Sequence, residues 1–292
     1  MSDRLQGKII KGIGGFYYVD TGNGVPVETR ARGIFRKEGI VPLIGDEAEI
    51  SVDAEGRGGF VEKIFPRRNM LTRPPVANVD YLAIVIATAN PKPNLYVMDK
   101  MIAAAEYAGI HPILCLNKID LDTGEELQRI YEKTGYDVLC ISAKERENTD
   151  KLSEILQGHT TAFAGNSGVG KSSILNCLLE KEWFDTGEVN DRIERGRHTT
   201  RHSELVPLPG GGYVIDTPGF STFQLTDISV PEVAELFIEF RPYLHGCKFN
   251  DCLHMVEKGC AVLEGVANGT IAVSRHENYK RLLEEVKAEA KW

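Results

Sequence analysis

The sequence predicts a multidomain α/β protein in three parts: a small all-β unit over residues 1–68, a doubly wound α/β unit over 78–228, and a helical metal-binding unit over 229–292. Three observations predict it. Short alternating apolar runs between Gly-rich turns fill the first 65 residues. Apolar strands then alternate with helical segments at βαβ spacing. Finally, three cysteines and a histidine crowd into the fourteen residues from Cys247 to Cys260.

In the first part the runs are Gly7–Ile13, Phe16–Asp20, Ala48–Val52 and Gly59–Ile64, with turns such as Thr21-Gly22-Asn23-Gly24 between them. None carries a 3.6-residue period, so a small barrel or sandwich is expected. Pro66 to Val76 holds three prolines and several arginines and reads as a linker.

From Asp80 the pattern changes. Tyr81–Thr88 is continuously apolar, as a parallel strand buried on both faces must be. A helix is expected over Leu95–Ala108, capped by Asn94 and stopped at Gly109. Strands Pro112–Leu116, Asp137–Ile141 and Thr161–Ala164 then alternate with helices Glu125–Lys133, Asp150–Gln157 and Lys171–Leu179. Ser203–Pro207 and Gly212–Ile215 suggest a hairpin. After Ser229 the chain turns polar and helical, ending in a helix over Arg275–Glu289 that a Ser274/Glu277 capping box is expected to open.

Composition narrows the class. With 42% hydrophobic and 26% charged residues, the chain is neither disordered nor fibrous. No apolar stretch is long enough to cross a bilayer and no leader opens the chain, so a cytoplasmic protein without a membrane partner is expected. A net charge of −8 argues against broad electrostatic binding to nucleic acid, leaving only local basic patches. Cys115, Cys140 and Cys177 stand singly in strands or helix, as small buried residues do. Cys247-x4-Cys252-x-His254-x5-Cys260 offers three thiolates and an imidazole, a full tetrahedral shell for one structural Zn²⁺.

The run Gly165, Asn166, Ser167, Gly168, Val169, Gly170, Lys171, Ser172, followed by Ser173, fits G-x-x-x-x-G-K-[ST] between an apolar strand and a helix. Glycines let successive N–H groups turn inward on phosphates, Lys171 can reach the β- and γ-phosphates as a catalytic cation, and the Ser172 hydroxyl can ligate Mg²⁺. Average composition would give the pattern in about one such chain in a hundred. Asn117, Lys118, Ile119 and Asp120 close another strand. A carboxylate accepts hydrogen bonds only, and guanine offers it two parallel donors at N1 and the 2-amino group, where adenine presents an acceptor. Asp120 would therefore select guanine, Asn117 would meet the N7 edge, and the Lys118 stem would cover the ring. Ser142, Ala143 and Lys144 end the next strand, where the Ala143 N–H could donate to guanine O6. Asp216-Thr217-Pro218-Gly219 follows a further strand, placed as a sensor of Mg²⁺ and the γ-phosphate. Each motif lies at the C-terminal end of a strand, where open α/β sheets bind ligands.

These are the five GTPase motifs in rotated order: fourth, fifth, first, second, third. Gly196-Arg-His-Thr-Thr200 occupies the second motif's place, with Thr199 or Thr200 the Mg²⁺ ligand alongside Ser172 and Asp216. A β unit, a permuted GTPase and a Cys/His knuckle in that order resemble the bacterial small-subunit-dependent GTPases of the RsgA (YjeQ/YloQ) family, over essentially the whole chain. The resemblance implies an OB-fold at the N-terminus, GTP and GDP as ligands, and the 30S ribosomal subunit with its 16S rRNA as partner in subunit maturation. It also implies that the particle stimulates hydrolysis. Phe220 stands where Ras-like proteins carry a water-orienting Gln and can neither donate nor accept a hydrogen bond; the family resemblance makes His198 the catalytic substitute. Arg30, Arg32, Arg36 and Lys37, and Lys63, Arg67, Arg68 and Arg73, are either solvated faces or rRNA-facing surfaces.

Three other readings compete: an RNA-binding scaffold with a vestigial nucleotide site, an ATPase, and a permuted GTPase of the large subunit. Intact Lys171, Ser172, Asp216 and Asp120 oppose the first, Asp120 the second, and the terminal units the third. A monomer is the default expectation. Because Gly219 leads through residues 220–229 directly into the Cys/His unit, that tether is expected to carry nucleotide state to it.

Overall fold

The computed structural model describes residues 4–53, 58–72, 74–181, 204–216 and 228–289. His198, Thr199, Thr200, Gly219, Phe220, Arg73 and the side chain of Asp216 lie outside the described residues.

Strands β1 (Arg4–Ile13), β2 (Phe16–Asp20), β3 (Val27–Ala31), β4 (Glu47–Val52) and β5 (Gly58–Ile64) close into an OB-like barrel in the order β1-β2-β3-β5-β4. Alternation places Ile9, Val19, Ile50 and Val61 inside it, each fully buried, and closure leaves no free edge. The short helix α1 (Gly33–Lys37) contributes Phe35 to this core. Neither β3 nor α1 is evident in the sequence, because polar Glu28 and Arg30 break the run and five residues are too few to show a helical period.

The expected linker is instead structured. β6 (Met70–Thr72) and β7 (Pro75–Ala77) form a hairpin. Before it, Arg67 bonds both carboxylate oxygens of fully buried Asp46, at 2.7 and 2.8 Å. After it, Asn78 donates to the Gly45 carbonyl at 3.0 Å. These contacts fasten both ends of the hairpin to the barrel, so prolines here shape a turn and do not mark a free tether.

The second unit is a six-stranded sheet of β8 (Tyr81–Ala87), β9 (His111–Asn117), β10 (Asp137–Ile141), β11 (Thr160–Ala164), β12 (Val206–Pro207) and β13 (Tyr213–Asp216) in the order β10-β9-β8-β11-β13-β12. All pairings are parallel except β12 with β13, the expected hairpin. Helices α2 (Leu95–Tyr107), α3 (Glu125–Tyr131), α4 (Thr149–Leu156) and α5 (Lys171–Leu178) cover it. One cluster packs α2 and α3 on Leu82, Ile84 and Leu114; another packs α4 and α5 on Ala83, Val85 and Ile113. Adjacent strand residues thus point to opposite layers, which is why the central strand β8 is apolar throughout. Asn94 caps α2 by accepting from the Val97 N–H at 3.2 Å, and Gly109 ends it at φ +66°.

The C-terminal part opens with two 3₁₀ segments, Val230–Leu236 and Ile238–Gly246, then α6 (Ala261–Ala267) and α7 (Val273–Glu289). Ser274 lies inside α7 and is not its cap; the capping box is at Ser229, whose N–H and hydroxyl both donate to Glu232. This part packs on α2 through Tyr96, Ala103 and Ala104. Across the same contact fully buried Arg275 bonds Glu239 at 2.7 and 3.0 Å and Asp99 of α2 at 2.8 Å. The tether of residues 220–229 is therefore not the C-terminal part's only link to the sheet.

Candidate functional site

The loop from Gly165 to Gly170 leaves β11 and opens α5. Gly165 sits at φ +141°, where a Cβ would lie 2.2 Å from the Val85 carbonyl oxygen. Gly170 sits at φ +96°, where a Cβ would meet the Asn117 amide nitrogen at 2.2 Å. No other residue fits either place. The Lys171 ammonium donates to the carbonyls of Gly165 and Asn166 at 2.8 and 3.0 Å, which holds it against the loop's inner curve. Ser172 and Ser173 occupy the first turn of α5 and are half-buried. An α-helix N-terminus beneath inward-turned N–H groups is a ready site for phosphate.

Asn117, at the end of β9, ties this loop to the neighbouring one. Its Nδ2 donates to the Val169 carbonyl at 2.9 Å and its Oδ1 accepts from the Ala143 N–H at 3.1 Å. The side chain is almost wholly buried, so it fixes the two loops to each other. The Ala143 N–H, expected to be open to a guanine oxygen, is engaged by Asn117. Asp120 accepts from the Ser142 hydroxyl at 2.8 Å, and the Lys144 ammonium stands 3.8 Å away. Ser142 Oγ also accepts from the Glu145 N–H at 3.1 Å, so it orients the Asp120 carboxylate from within a tight turn. Lys118, at φ +70°, points its ammonium to the Asn90 carbonyl, and Ile119 donates its N–H to the Ile141 carbonyl at 3.3 Å. No sequence motif marks Thr88, yet its hydroxyl donates to the Lys118 carbonyl at 2.9 Å and steadies the turn.

Parallel pairing sets Asp216 beside Phe163, two residues before Gly165. The backbone thus brings the ends of β9, β10, β11 and β13 to one edge, and with them the loops holding Asn117–Asp120, Ser142–Lys144 and Gly165–Ser173.

The second cluster lies in the C-terminal part. The ligand atoms of Cys247, Cys252, His254 and Cys260 all fall within 4.8 Å of one another. His254 Nδ1 is 3.5 Å from Cys247 Sγ and 3.4 Å from Cys260 Sγ, and those sulfurs are 3.9 Å apart. A tetrahedral centre with metal–sulfur bonds of about 2.3 Å separates its sulfurs by roughly 3.8 Å, so the arrangement is compatible with a zinc site. Burial, reinforced by the neighbouring sulfurs, pushes the Cys252 thiol up to about 12. Burial also pulls His254 below its ordinary value, which favours the neutral imidazole that ligates metal. Glu257 braces the loop, accepting from the N–H groups of Leu253, Met255 and Val256 at 3.0, 2.7 and 2.9 Å. His276 and Tyr279 of α7 bond the carbonyls of His254 and Leu253, each at 2.7 Å. The sequence does not single out these bracing residues; the one sign of Glu257 is an acidic residue between two ligands.

The basic groups divide. Arg67 is an internal strut, and Arg68 bonds Asp80 at 2.5 Å. Arg32 pairs with Glu62 at 2.6 Å, whereas Arg30 lies exposed over the Phe16 ring at 4.4 Å.

A G-x-x-x-x-G-K-S loop opening α5, with an Asn-Lys-Ile-Asp tetrapeptide at the end of a strand that precedes it in the chain, is the arrangement of a circularly permuted P-loop GTPase. A family model described as RsgA GTPase matches residues 64–226, and one described as RsgA N-terminal domain matches residues 6–60. The small ribosomal subunit biogenesis GTPase RsgA of Caldanaerobacter subterraneus subsp. tengcongensis is 45% identical, the match covering 99% of this chain and 98% of that protein. Its namesake from Ruminiclostridium cellulolyticum is 44% identical over 96% of this chain and 93% of that protein. The crystal structure of YloQ, a circularly permuted GTPase, aligns with a TM-score of 0.84 at 34% identity, over 98% of this chain and 96% of that one. YjeQ from Thermotoga maritima aligns with a TM-score of 0.82 at 32% identity, over 97% and 99%. The chain belongs to the RsgA GTPase family.

Proposed function

We propose that this GTPase acts in small ribosomal subunit biogenesis, binding the 30S particle and its 16S rRNA in the cytoplasm and hydrolysing GTP faster when the particle is bound. The convergence of the Gly165–Ser173 loop with Asn117 and Asp120 at one sheet edge supports the nucleotide part of this reading. Near-full-length similarity to proteins named for small-subunit biogenesis supports the rest. Asp120 reads the guanine N1 and 2-amino donors, with Asn117, Lys118, Ile119, Ser142, Ala143 and Lys144 around the base. Residues Gly165 to Ser173 cradle the phosphates, and Gly219 meets the γ-phosphate.

Ser172, Asp216 and Thr199 or Thr200 are the residues that would hold Mg²⁺. The place of Ser172 in the first turn of α5, with Asp216 ending the strand paired beside β11, fits that donor set. When bound, the ion would neutralise phosphate charge. Lys171 supplies a second positive charge there, and His198 orients the attacking water. Cys247, Cys252, His254 and Cys260 hold one structural zinc.

The test is co-sedimentation with separated 30S and 50S subunits, with GDP and with a non-hydrolysable GTP analogue, beside GTP and ATP turnover. Nucleotide-dependent pelleting with 30S alone and GTP-selective turnover raised by 30S are expected. Pelleting with 50S, or indifference to both, overturns the ribosomal assignment.

A further inference from the structure

Most backbone amides of the loop at residues 142–147 are engaged inside the protein. The Ala143 N–H donates to Asn117 Oδ1 and the Glu145 N–H to Ser142 Oγ, each at 3.1 Å. Ser142 and Glu147 close the loop as an antiparallel bridge, each N–H donating to the other's carbonyl at 3.2 and 2.9 Å. Only the N–H groups of Lys144 and Arg146 have no such partner among the described residues. Of these two, Lys144 is the one beside Asp120, its ammonium 3.8 Å from that carboxylate.

The peptide that carries the Lys144 N–H also carries the Ala143 carbonyl, and that carbonyl is held. Half-buried Cys177, on the helix that the phosphate loop opens, donates to it from Sγ at 3.3 Å. Burial pushes the Cys177 thiol up against the opposing charge of Arg146, so the sulfur keeps its proton and can donate. Ala143 itself is buried in one cluster with Val169, Ile174 and Leu178, and Cys177 packs against that cluster. Asn117 thus holds Ala143 by its N–H and Cys177 holds it by its carbonyl. In a planar trans peptide the N–H points opposite to the C=O. A bond that draws the carbonyl towards α5 therefore turns the Lys144 N–H away from that helix.

We propose that Cys177 is a positioning residue for guanine specificity: by holding the Ala143 carbonyl it aims the Lys144 N–H at guanine O6. This deepens the reading of Asp120 and its neighbours as the guanine site, and rests on it. Cys177 acts through the peptide and not on the nucleotide. Adenine presents an amino group where guanine has O6, so a fixed N–H meets a donor in one base and an acceptor in the other. The peptide thereby adds a second point of discrimination to the one that Asp120 supplies at N1 and the 2-amino group.

The experiment measures the affinities of wild type, Cys177→Val, Cys177→Ala and Cys177→Ser for GDP, 6-thio-GDP, ADP and pyrophosphate, beside thermal unfolding. 6-Thio-GDP keeps both donors that Asp120 reads and replaces O6 by a weakly accepting sulfur. Wild type should prefer GDP to it. In Cys177→Val and Cys177→Ala that preference should shrink about threefold or more, with the affinities for 6-thio-GDP and pyrophosphate unchanged. Cys177→Ser still offers a donor and should keep the preference. A merely structural cysteine would weaken both nucleotides alike, so parallel losses overturn the proposal. So does an undiminished preference in a folded variant without a donor, or a serine variant that behaves as alanine does. Should valine overfill the site and unfold the protein, the alanine variant decides alone. A wild type indifferent to the exchange of O6 for sulfur overturns the contact itself. Failure of the wider guanine reading shows differently, as equal wild-type affinity for GDP and ADP, and takes the proposal with it.

Discussion

Ser142 is fully buried between the carboxylate it orients and the N–H it accepts from, so its hydroxyl works in both directions at once. Ser142→Ala would leave the Glu145 N–H without its side-chain acceptor and Asp120 without its fixed donor, costing about 1–2 kcal/mol of guanine recognition. GTP affinity measured by titration should fall roughly tenfold, with affinity for inorganic pyrophosphate unaltered. Asp120→Asn goes further, because an amide cannot accept both guanine donors. GTP affinity should drop about a hundredfold while xanthosine triphosphate, which carries an acceptor at that edge, gains. Unchanged GTP affinity in this variant would refute the base assignment. His198→Ala should lower particle-stimulated turnover far more than GTP affinity, and equal losses would make His198 a structural residue of its loop.

At the scale of elements, the Cys/His loop is a closed unit, with four ligand atoms inside and one carboxylate holding three N–H groups outside. Cys252→Ser should remove the single tightly held zinc expected by metal analysis. Glu257→Ala should weaken zinc about tenfold or more in a chelator competition while keeping all four ligands, because outer partners fix ligand orientation. In both variants the α/β sheet should keep its far-ultraviolet dichroism and the loop alone should open. Elements are also where the sequence is most and least legible. Continuous apolar runs mark β8, β9 and β11, and Asn94 and Gly109 mark both ends of α2, because these signals are local. The β6–β7 hairpin is hidden. Its stability comes from Arg67 reaching Asp46 twenty-one positions away and Asn78 reaching Gly45 thirty-three away, and prolines by themselves announce only a break. The start of α7 is misplaced for a like reason. Ser274 has cap chemistry, yet the helix is set by the packing of Tyr279, Leu282 and Leu283 beneath it.

For the molecule as a whole, the least legible feature is the charge network at the α2–α7 contact, whose members lie 36 and 176 positions apart. Burial pushes the Asp99 carboxyl up, while Arg275, Asn278 and Tyr131 oppose it with a charge and three hydrogen bonds. Arg275 keeps its charge because Asp99 and Glu239 outweigh its burial. Removing it strands two carboxylates, so Arg275→Met should cost about 3–5 kcal/mol of stability in denaturant titration. The same contact revises the expectation for the tether. A Gly/Ser insertion after Thr226 leaves the α2 contact in place, so part of the nucleotide-dependent discrimination by 30S subunits should survive it. Arg275→Met with the insertion should lose the remainder. Full loss on insertion alone would return the whole role to the tether.

The strand order has a consequence for how the protein is made. β8 finds β9 about thirty positions on, and β9 finds β10 about twenty-four on, but β8 must wait for β11, eighty positions later, to fill its other side. During synthesis from the N-terminus, the half that carries Asn117–Asp120 and Ser142–Lys144 can therefore pair before the phosphate loop has left the exit tunnel. Closing the β8–β11 interval costs more chain entropy than either earlier pairing, which places it after them in the assembly of the sheet. Nascent chains stalled at residue 158 should already protect the amides of β8 and β9 from hydrogen exchange, yet remain unable to retain nucleotide until β11 and α5 are added.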